Sequence, residues 1–244
     1  MPPEVGSPER PSASRTPGRL PAAVLWDLDG TLIDSEPYWV AEEFALVEES
    51  GGVWSMEHAT TLVGGDLMFA ADYLRRHGGV RLPTEDIVHR LLAGVAARVG
   101  EVLPWRPGAR ELLAELRTLG VPCALVTMSW SSLAEAVVRL VPAGSFAAVV
   151  TGDQVAEGKP HPEAYLRAAT LLGVDAAACV ALEDSANGAL SAHAAGARTI
   201  VVPHTAPVPP HPELTRLDTL AGVTATDLHR LTEPADAVDG PPNA

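Results

Sequence analysis

The stretch "VLWDLDGTLIDSE" (24–36) ends an apolar run in Asp27-Leu28-Asp29-Gly30. Residues i and i+2 of an extended chain point to the same side, so Asp27 and Asp29 can converge on one substrate. Gly30 lets the chain turn away without steric conflict. Three further stretches carry groups of the same kind. "CALVTMS" ends an apolar run at Thr127, followed by Met128 and Ser129 and a helix expected from near Ser131. "GDQVAEGKPHPEAY" sets Lys159 ahead of a helix expected to hold Pro160 and Pro162 in its first turn. "VALEDSANG" sets Glu183 and Asp184 at a strand end, with Ser185 placed to cap the next helix.

Each stretch has a plainer reading. Asp-Gly marks turns, Thr127 and Ser129 can cap helices, Lys159 can be a loop cation, and Glu183 and Asp184 can complement a helix dipole. All four at strand ends, where ligands bind in open α/β sheets, point instead to one shared site. The basic residues sharpen this: 16 are arginine and one, Lys159, is lysine. An ammonium is a compact point charge and a guanidinium a broad fork, so a site needing the former would keep the one lysine.

The elements that must position these groups follow from the pattern. The chain has 244 residues, 47% hydrophobic and 20% charged, enough for a full core. Apolar runs at 22–26, 123–127, 147–150, 179–182 and 198–202 read as strands buried on both faces. Helical patterns lie between them. "PGARELLAELRTLG" (107–120) opens with Pro and closes with Gly, with Leu112, Leu113, Leu116 and Leu119 on one face, and "HPEAYLRAATLLG" (161–173) repeats the pattern. Alternating strand and helix implies an α/β fold with a Rossmann-like parallel sheet between two helical layers. Residues 38–103 offer helical patterns alone and read as an inserted α-helical cap. The core is thus expected at 21–37 and 104–232, with a proline-rich surface loop at 203–212. Tails at 1–20 and 233–244 have the composition of disordered segments.

The net charge of −14 argues against a nucleic-acid partner and against an anionic membrane surface. Cys123 and Cys179 sit in apolar runs and read as core thiols of a reducing compartment. With neither a signal-peptide core nor a membrane-length apolar run in the sequence, the expectation is a cytoplasmic protein.

In this order the four stretches "DLDGTLIDSE", Thr127 after an apolar strand, "GKPHPEAY" and "LEDSANG" resemble the four motifs of the haloacid dehalogenase superfamily. The resemblance covers about 22–202. It is closest to the branch with a helical cap between the first two motifs, which contains β-phosphoglucomutase and many sugar-phosphate phosphatases. It implies Asp27 as a nucleophile forming an aspartyl-phosphate and Asp29 as general acid and base. Thr127, the Met128 backbone N–H and Lys159 would hold phosphate, with Lys159 also offsetting transition-state charge. Asp27, the Asp29 carbonyl and Asp184 would bind metal, with Glu183 beside them or one shell out. Four carboxylates and a phosphate repel: two like charges about 4 Å apart cost about 1 kcal/mol in water and about 4 at an effective dielectric near 20. Mg²⁺, with its preference for oxygen ligands, suits this set.

Asp29 argues against halide chemistry, where the leaving group needs no proton. A cap without lysine argues against the Schiff-base member of the superfamily. A mutase of the β-phosphoglucomutase kind would carry a histidine where Trp39 stands, and cations in the cap to hold a second phosphate. The cap loop 62–67 offers Asp66 instead, and Arg75, Arg76, Arg81, Arg90 and Arg98 lie in patterns expected to face solvent. The reading is a phosphatase for a small phosphorylated metabolite, with Trp39 and Asp66 as candidate substrate contacts. A phosphosugar mutase and a non-catalytic regulator that binds a phosphorylated ligand are the alternatives. Members of the branch are often monomers, which sets that expectation here.

Overall fold

The computed structural model describes residues 19–232. The expected tails therefore lie outside the described residues, apart from positions 19 and 20. Six strands form one parallel sheet: β1 (Ala23–Trp26), β2 (Cys123–Val126), β3 (Ala148–Val150), β4 (Cys179–Glu183), β5 (Arg198–Val201) and β6 (Thr215–Arg216), in the order β3-β2-β1-β4-β5-β6. β1 pairs with β2 on one side and β4 on the other, through Val24 opposite Cys123 and Val180. β1, β2 and β4 are buried along their whole length, as strands covered by helices on both faces must be. The first five match the apolar runs. β6 does not: at two residues it is too short to leave a periodic signal.

After β1 come four helices, α1 (Glu36–Glu49), α2 (Met56–Leu62), α3 (Leu67–His77) and α4 (Thr84–Glu101), and then α5 (Ala109–Thr118) before β2. The two segments that lead out to and back from α1–α4 are tied together. Asp34 N–H donates to Pro104 O at 2.7 Å and Arg106 N–H to Leu32 O at 3.0 Å. Apolar residues of α1–α4 such as Leu46, Leu74 and Ile87 join Trp26, Leu112 and Leu133 of the sheet region in one buried cluster. The remaining helices are α6 (Ser131–Leu140), α7 (Glu163–Leu172), α8 (Ala186–Ala194) and α9 (Ala225–Leu231). His89 of α4 meets Trp130, just before α6, edge to face at 5.5 Å.

Two boundaries differ from the sequence pattern. α5 stops at Thr118, so Leu119 falls beyond the helix and is 47% exposed while Leu112, Leu113 and Leu116 are buried. Leu119 is the C-terminal capping residue, its N–H still donating to Glu115 O at 2.9 Å, and the chain turns away at Gly120, whose φ of +70° a β-carbon would oppose. α7 starts at Glu163, so Pro160 precedes the helix and Pro162 is its cap instead of both lying in the first turn.

The contrast between the leucines is measurable. Leu116→Ala should cost about 2–5 kcal/mol in urea unfolding, as core truncations do, whereas Leu119→Ala should stay within about 0.5 kcal/mol.

Candidate active site

The functional groups gather at the carboxyl ends of β1, β2 and β4. Asp27 follows β1 directly, Thr127 follows β2, and Glu183 closes β4 with Asp184 next to it. Parallel register brings these three ends level, which is why residues a hundred and more positions apart meet.

Lys159 arrives from the loop before α7 and is the hub. Its ammonium donates to Asp27 Oδ1 at 2.7 Å, Glu183 Oε1 at 2.6 Å and Val126 O at 2.9 Å. Three donors meet three acceptors, so the compact ammonium is fully used, a geometry a planar guanidinium would not match. Its side chain is only 5% exposed. Burial pulls the ammonium's pKa down, but Asp27 and Glu183 outweigh this and hold it above its ordinary value. Tyr165 of α7 donates to the same Glu183 oxygen, and Ser185 donates to Glu183 Oε2 at 3.3 Å. Ser185 also caps α8 as expected, accepting from Gly188 N–H.

Asp29 lines the same cleft but is held by a separate set of donors. Its Oδ1 accepts from Ser35 Oγ at 2.5 Å and Trp39 Nε1 at 3.3 Å. Its Oδ2 accepts from Ser129 Oγ at 2.7 Å and, more distantly, Thr127 Oγ1 at 3.4 Å. Thr127 Oγ1 in turn accepts from Ser129 N–H at 2.9 Å. Trp39 therefore touches the Asp29 carboxylate, a contact the sequence reading did not foresee, and it also lines the cleft. Asp66 lines the cleft too, while its Oδ1 caps α3 by accepting from Phe69 N–H at 3.0 Å.

The cleft has a volume of about 270 Å³ and takes in Asp27, Asp29, Thr127, Met128, Lys159 and Asp184. Its outer part is acidic. Glu36 and Glu43 of α1 join Asp66 there, and among the described residues Lys159 is the one Lys or Arg on its walls. The α1–α4 arginines are engaged elsewhere: Arg98 with Glu42 at 2.6 Å, Arg90 with Glu49 at 2.7 Å, Arg76 with Asp72 at 2.5 Å and Arg75 with the Thr84 hydroxyl at 3.4 Å. Glu36, Glu43, Ser35, Ser129 and Tyr165 were not singled out from sequence as site residues. Their types are common at caps and in cores, and only the tertiary contacts distinguish them.

The donor set fits a hard divalent cation. Asp27, Glu183 and Asp184 offer carboxylate oxygens all within 4.8 Å of one another. Asp27 Oδ2 is buried with no hydrogen-bond partner among the described residues. Burial and then Glu183 push the Asp27 carboxyl up to about 7. Burial and then Asp27 and Glu183 push Asp184 up to about 9. Carboxyls so placed lack the positive charge that would let them ionise together. Gly30 belongs to the same arrangement. It has φ +87°, and a β-carbon there would lie 2.0 Å from Asp184 Oδ2.

A model of the haloacid dehalogenase-like hydrolases matches residues 21–196. Hexitol phosphatase B of Escherichia coli (strain K12) is 36% identical over 194 residues, covering 77% of this chain and 86% of that one. The plasmid-encoded CbbY protein of Cupriavidus necator is 34% identical over 75% of this chain and 78% of its own. The crystal structure of CbbY from Rhodobacter sphaeroides in complex with phosphate superposes with a TM-score of 0.76 at 30% identity, covering 86% of this chain and all of that one. A mutant of the same protein, in complex with xylulose-1,5-bisphosphate, gives 0.76 at 29% identity, covering 84% and 96%. The chain belongs to the haloacid dehalogenase-like hydrolases, in the branch of these phosphatases, and is an enzyme of that phosphatase class. Phosphatases of this family generally use a divalent metal.

Glu43 supplies a pH test. Burial, partly opposed by the Trp54 indole N–H at 3.3 Å, moves its carboxyl from 4.5 to about 7. Between those values the folded chain keeps a proton that the unfolded chain releases, so stability falls as pH rises through the window and stays lower above it. Glu43→Gln should flatten that fall. Its Tm should exceed the parent's above pH 7 and match it below pH 4.5 in calorimetric scans.

Proposed function

We propose that the enzyme is a Mg²⁺-dependent phosphatase that hydrolyses a small phosphate monoester of a sugar or polyol through an aspartyl-phosphate on Asp27. Residues 21–37 and 104–232 form its catalytic core and 38–103 the cap over the cleft, and it acts as a cytoplasmic monomer without nucleic-acid or membrane partners. The observation that carries the chemistry is the pairing of two differently treated aspartates in one cleft. Asp27 is tied to a buried ammonium with one oxygen unpaired, while Asp29 is caged by hydroxyl and indole donors.

Asp27 is the nucleophile, and Lys159 holds one of its oxygens so that the other faces the incoming phosphorus. Asp29 protonates the leaving alkoxide and then takes the proton of the hydrolytic water. Its partners Ser35 and Ser129 are hydroxyls that can donate or accept, so the cage serves either protonation state. Thr127 and the Met128 N–H hold phosphate oxygens, and Lys159 offsets the charge that builds on them. Asp27, the Asp29 carbonyl and Asp184 would hold Mg²⁺, with Glu183 steadying Lys159 and the metal's outer shell. Bound there, the ion would supply the positive charge that lets an anionic ester approach the carboxylates.

The acidic outer cleft supports the substrate class. Glu36, Glu43 and Asp66 can exchange hydrogen bonds with hydroxyls, and burial raises the Glu36 and Glu43 carboxyls to about 7. Lys159 apart, no Lys or Arg among the described residues lines the cleft to hold a second phosphate, and Trp39 offers an apolar wall. Among the relatives, the hexitol phosphatase agrees with a polyol monoester, whereas the CbbY structure holds a bisphosphate.

Phosphate release from a panel of phosphorylated sugars and polyols should require Mg²⁺ and stop with chelator. Full activity in metal-free buffer would sink the site assignment. Asp27→Asn should abolish turnover with the fold intact by circular dichroism, and Asp29→Asn should also fail on substrates with poor leaving groups. Given β-glucose 1-phosphate and a trace of the 1,6-bisphosphate, the enzyme should yield inorganic phosphate. Rapid glucose 6-phosphate with little free phosphate would show a mutase instead.

A further inference from the structure

We propose a second metal site, separate from the catalytic carboxylates, in which His193, His211 and Glu213 bind a divalent transition ion of the zinc type. Ligand atoms of all three lie within 4.8 Å of one another. His193 Nε2 stands 3.1 Å from Glu213 Oε2, and the two imidazole rings are 5.2 Å apart at 60°. The ion pair accounts for His193 and Glu213, and Glu213 N–H donates to His211 Nδ1 at 3.3 Å, so His211 would ligate through Nε2. The second imidazole, turned edge-on beside the first, completes the two-histidine, one-carboxylate set that zinc takes with a water as fourth ligand. Imidazole also separates this site from the all-oxygen set at Asp27 and Asp184, which suits harder ions.

The fold holds the three residues in place. His193 lies in the last turn of α8, about 12 Å along the helix from the end next to Asp184. His211 and Glu213 sit in a turn where Leu214 N–H donates to His211 O at 3.3 Å. That turn is pinned against the sheet by a small apolar cluster of Val208 and Leu214 with Ala189 and Val201. The site is open to entry, with the His193 side chain 35% and the Glu213 side chain 68% exposed.

The same proline-rich segment begins at the catalytic cleft. His204, Thr205 and Ala206 line it, and His204 Nε2 meets Asp34 Oδ1 at 2.9 Å. An ion at the far end of the segment would therefore brace a wall of the cleft against α8 without touching the reacting groups.

The test titrates Zn²⁺ into the full chain in excess Mg²⁺, with zinc-edge X-ray absorption to count imidazoles. One zinc with two imidazole ligands is expected, and proteolysis within 203–214 should slow when it binds. Protons compete for imidazole, so affinity should fall in acid. His193→Ala and His211→Ala should each weaken this binding by more than about 100-fold, beyond the 10–100-fold typical of outer-shell partners, while phosphate release in Mg²⁺ is unchanged. Glu213→Gln keeps the shape and should weaken it too. Zinc bound through oxygen alone, no zinc uptake, or equal uptake in the His193→Ala/His211→Ala double variant of unchanged circular dichroism would each overturn the proposal.

Discussion

The ammonium of Lys159 is the interaction on which the rest of the site depends. It joins the ends of three adjacent strands, through Asp27 after β1, the Val126 carbonyl of β2 and Glu183 of β4. Burying a charge is costly unless it is paired and fully hydrogen-bonded, and here both conditions hold. Removing any one partner would leave another buried charge uncompensated, a loss of several kcal/mol in comparable pairs. Asp27, Glu183, Tyr165 and the β-strand register are therefore a single arrangement.

That arrangement leaves a surplus of negative charge. Asp27, Glu183 and Asp184 offer oxygens within 4.8 Å of one another, one Asp27 oxygen has no partner among the described residues, and Gly30 leaves the Asp184 carboxylate the place a β-carbon would take. Among the described residues one ammonium, Lys159, serves several carboxylates at the strand ends. Phosphatases of this family generally use a divalent metal, and so small a share of positive charge fits that use.

Helix α1 connects the sheet to the helices above it. Ser35, just before α1, and Trp39 within it both donate to Asp29, while Glu36 and Glu43 face the cleft. The start of this helix thus shapes one side of the second aspartate, Ser129 and Thr127 the other, and the helix brings Glu36 and Glu43 to the cleft. The paired segments at Asp34–Pro104 and Leu32–Arg106 fix where that helix starts. Arg76, Arg90 and Arg98 are engaged with carboxylates and Arg75 with the Thr84 hydroxyl, and among the described residues no arginine lines the cleft.

Strand and helix order, the parallel sheet and the residues that meet at the strand ends, Asp27, Asp29, Thr127, Lys159, Glu183 and Asp184, were legible in the sequence, because each depends on local pattern. Buried strands need apolar runs, and chemistry at their ends needs particular residue types directly after them. The same locality made a lone lysine among sixteen arginines informative. What the sequence alone left open depended on distance in space. β6 is too brief to carry a period, and the exposure of Leu119 follows from where α5 unwinds. The donors around Asp29, the tie from Tyr165 to Glu183, the acidity contributed by Glu36 and Glu43, and the meeting of His193 with His211 and Glu213 arise only when separate elements pack. A serine, tyrosine or glutamate has the same letter in a cap, a core or a site, and tertiary structure decides which by choosing its neighbours.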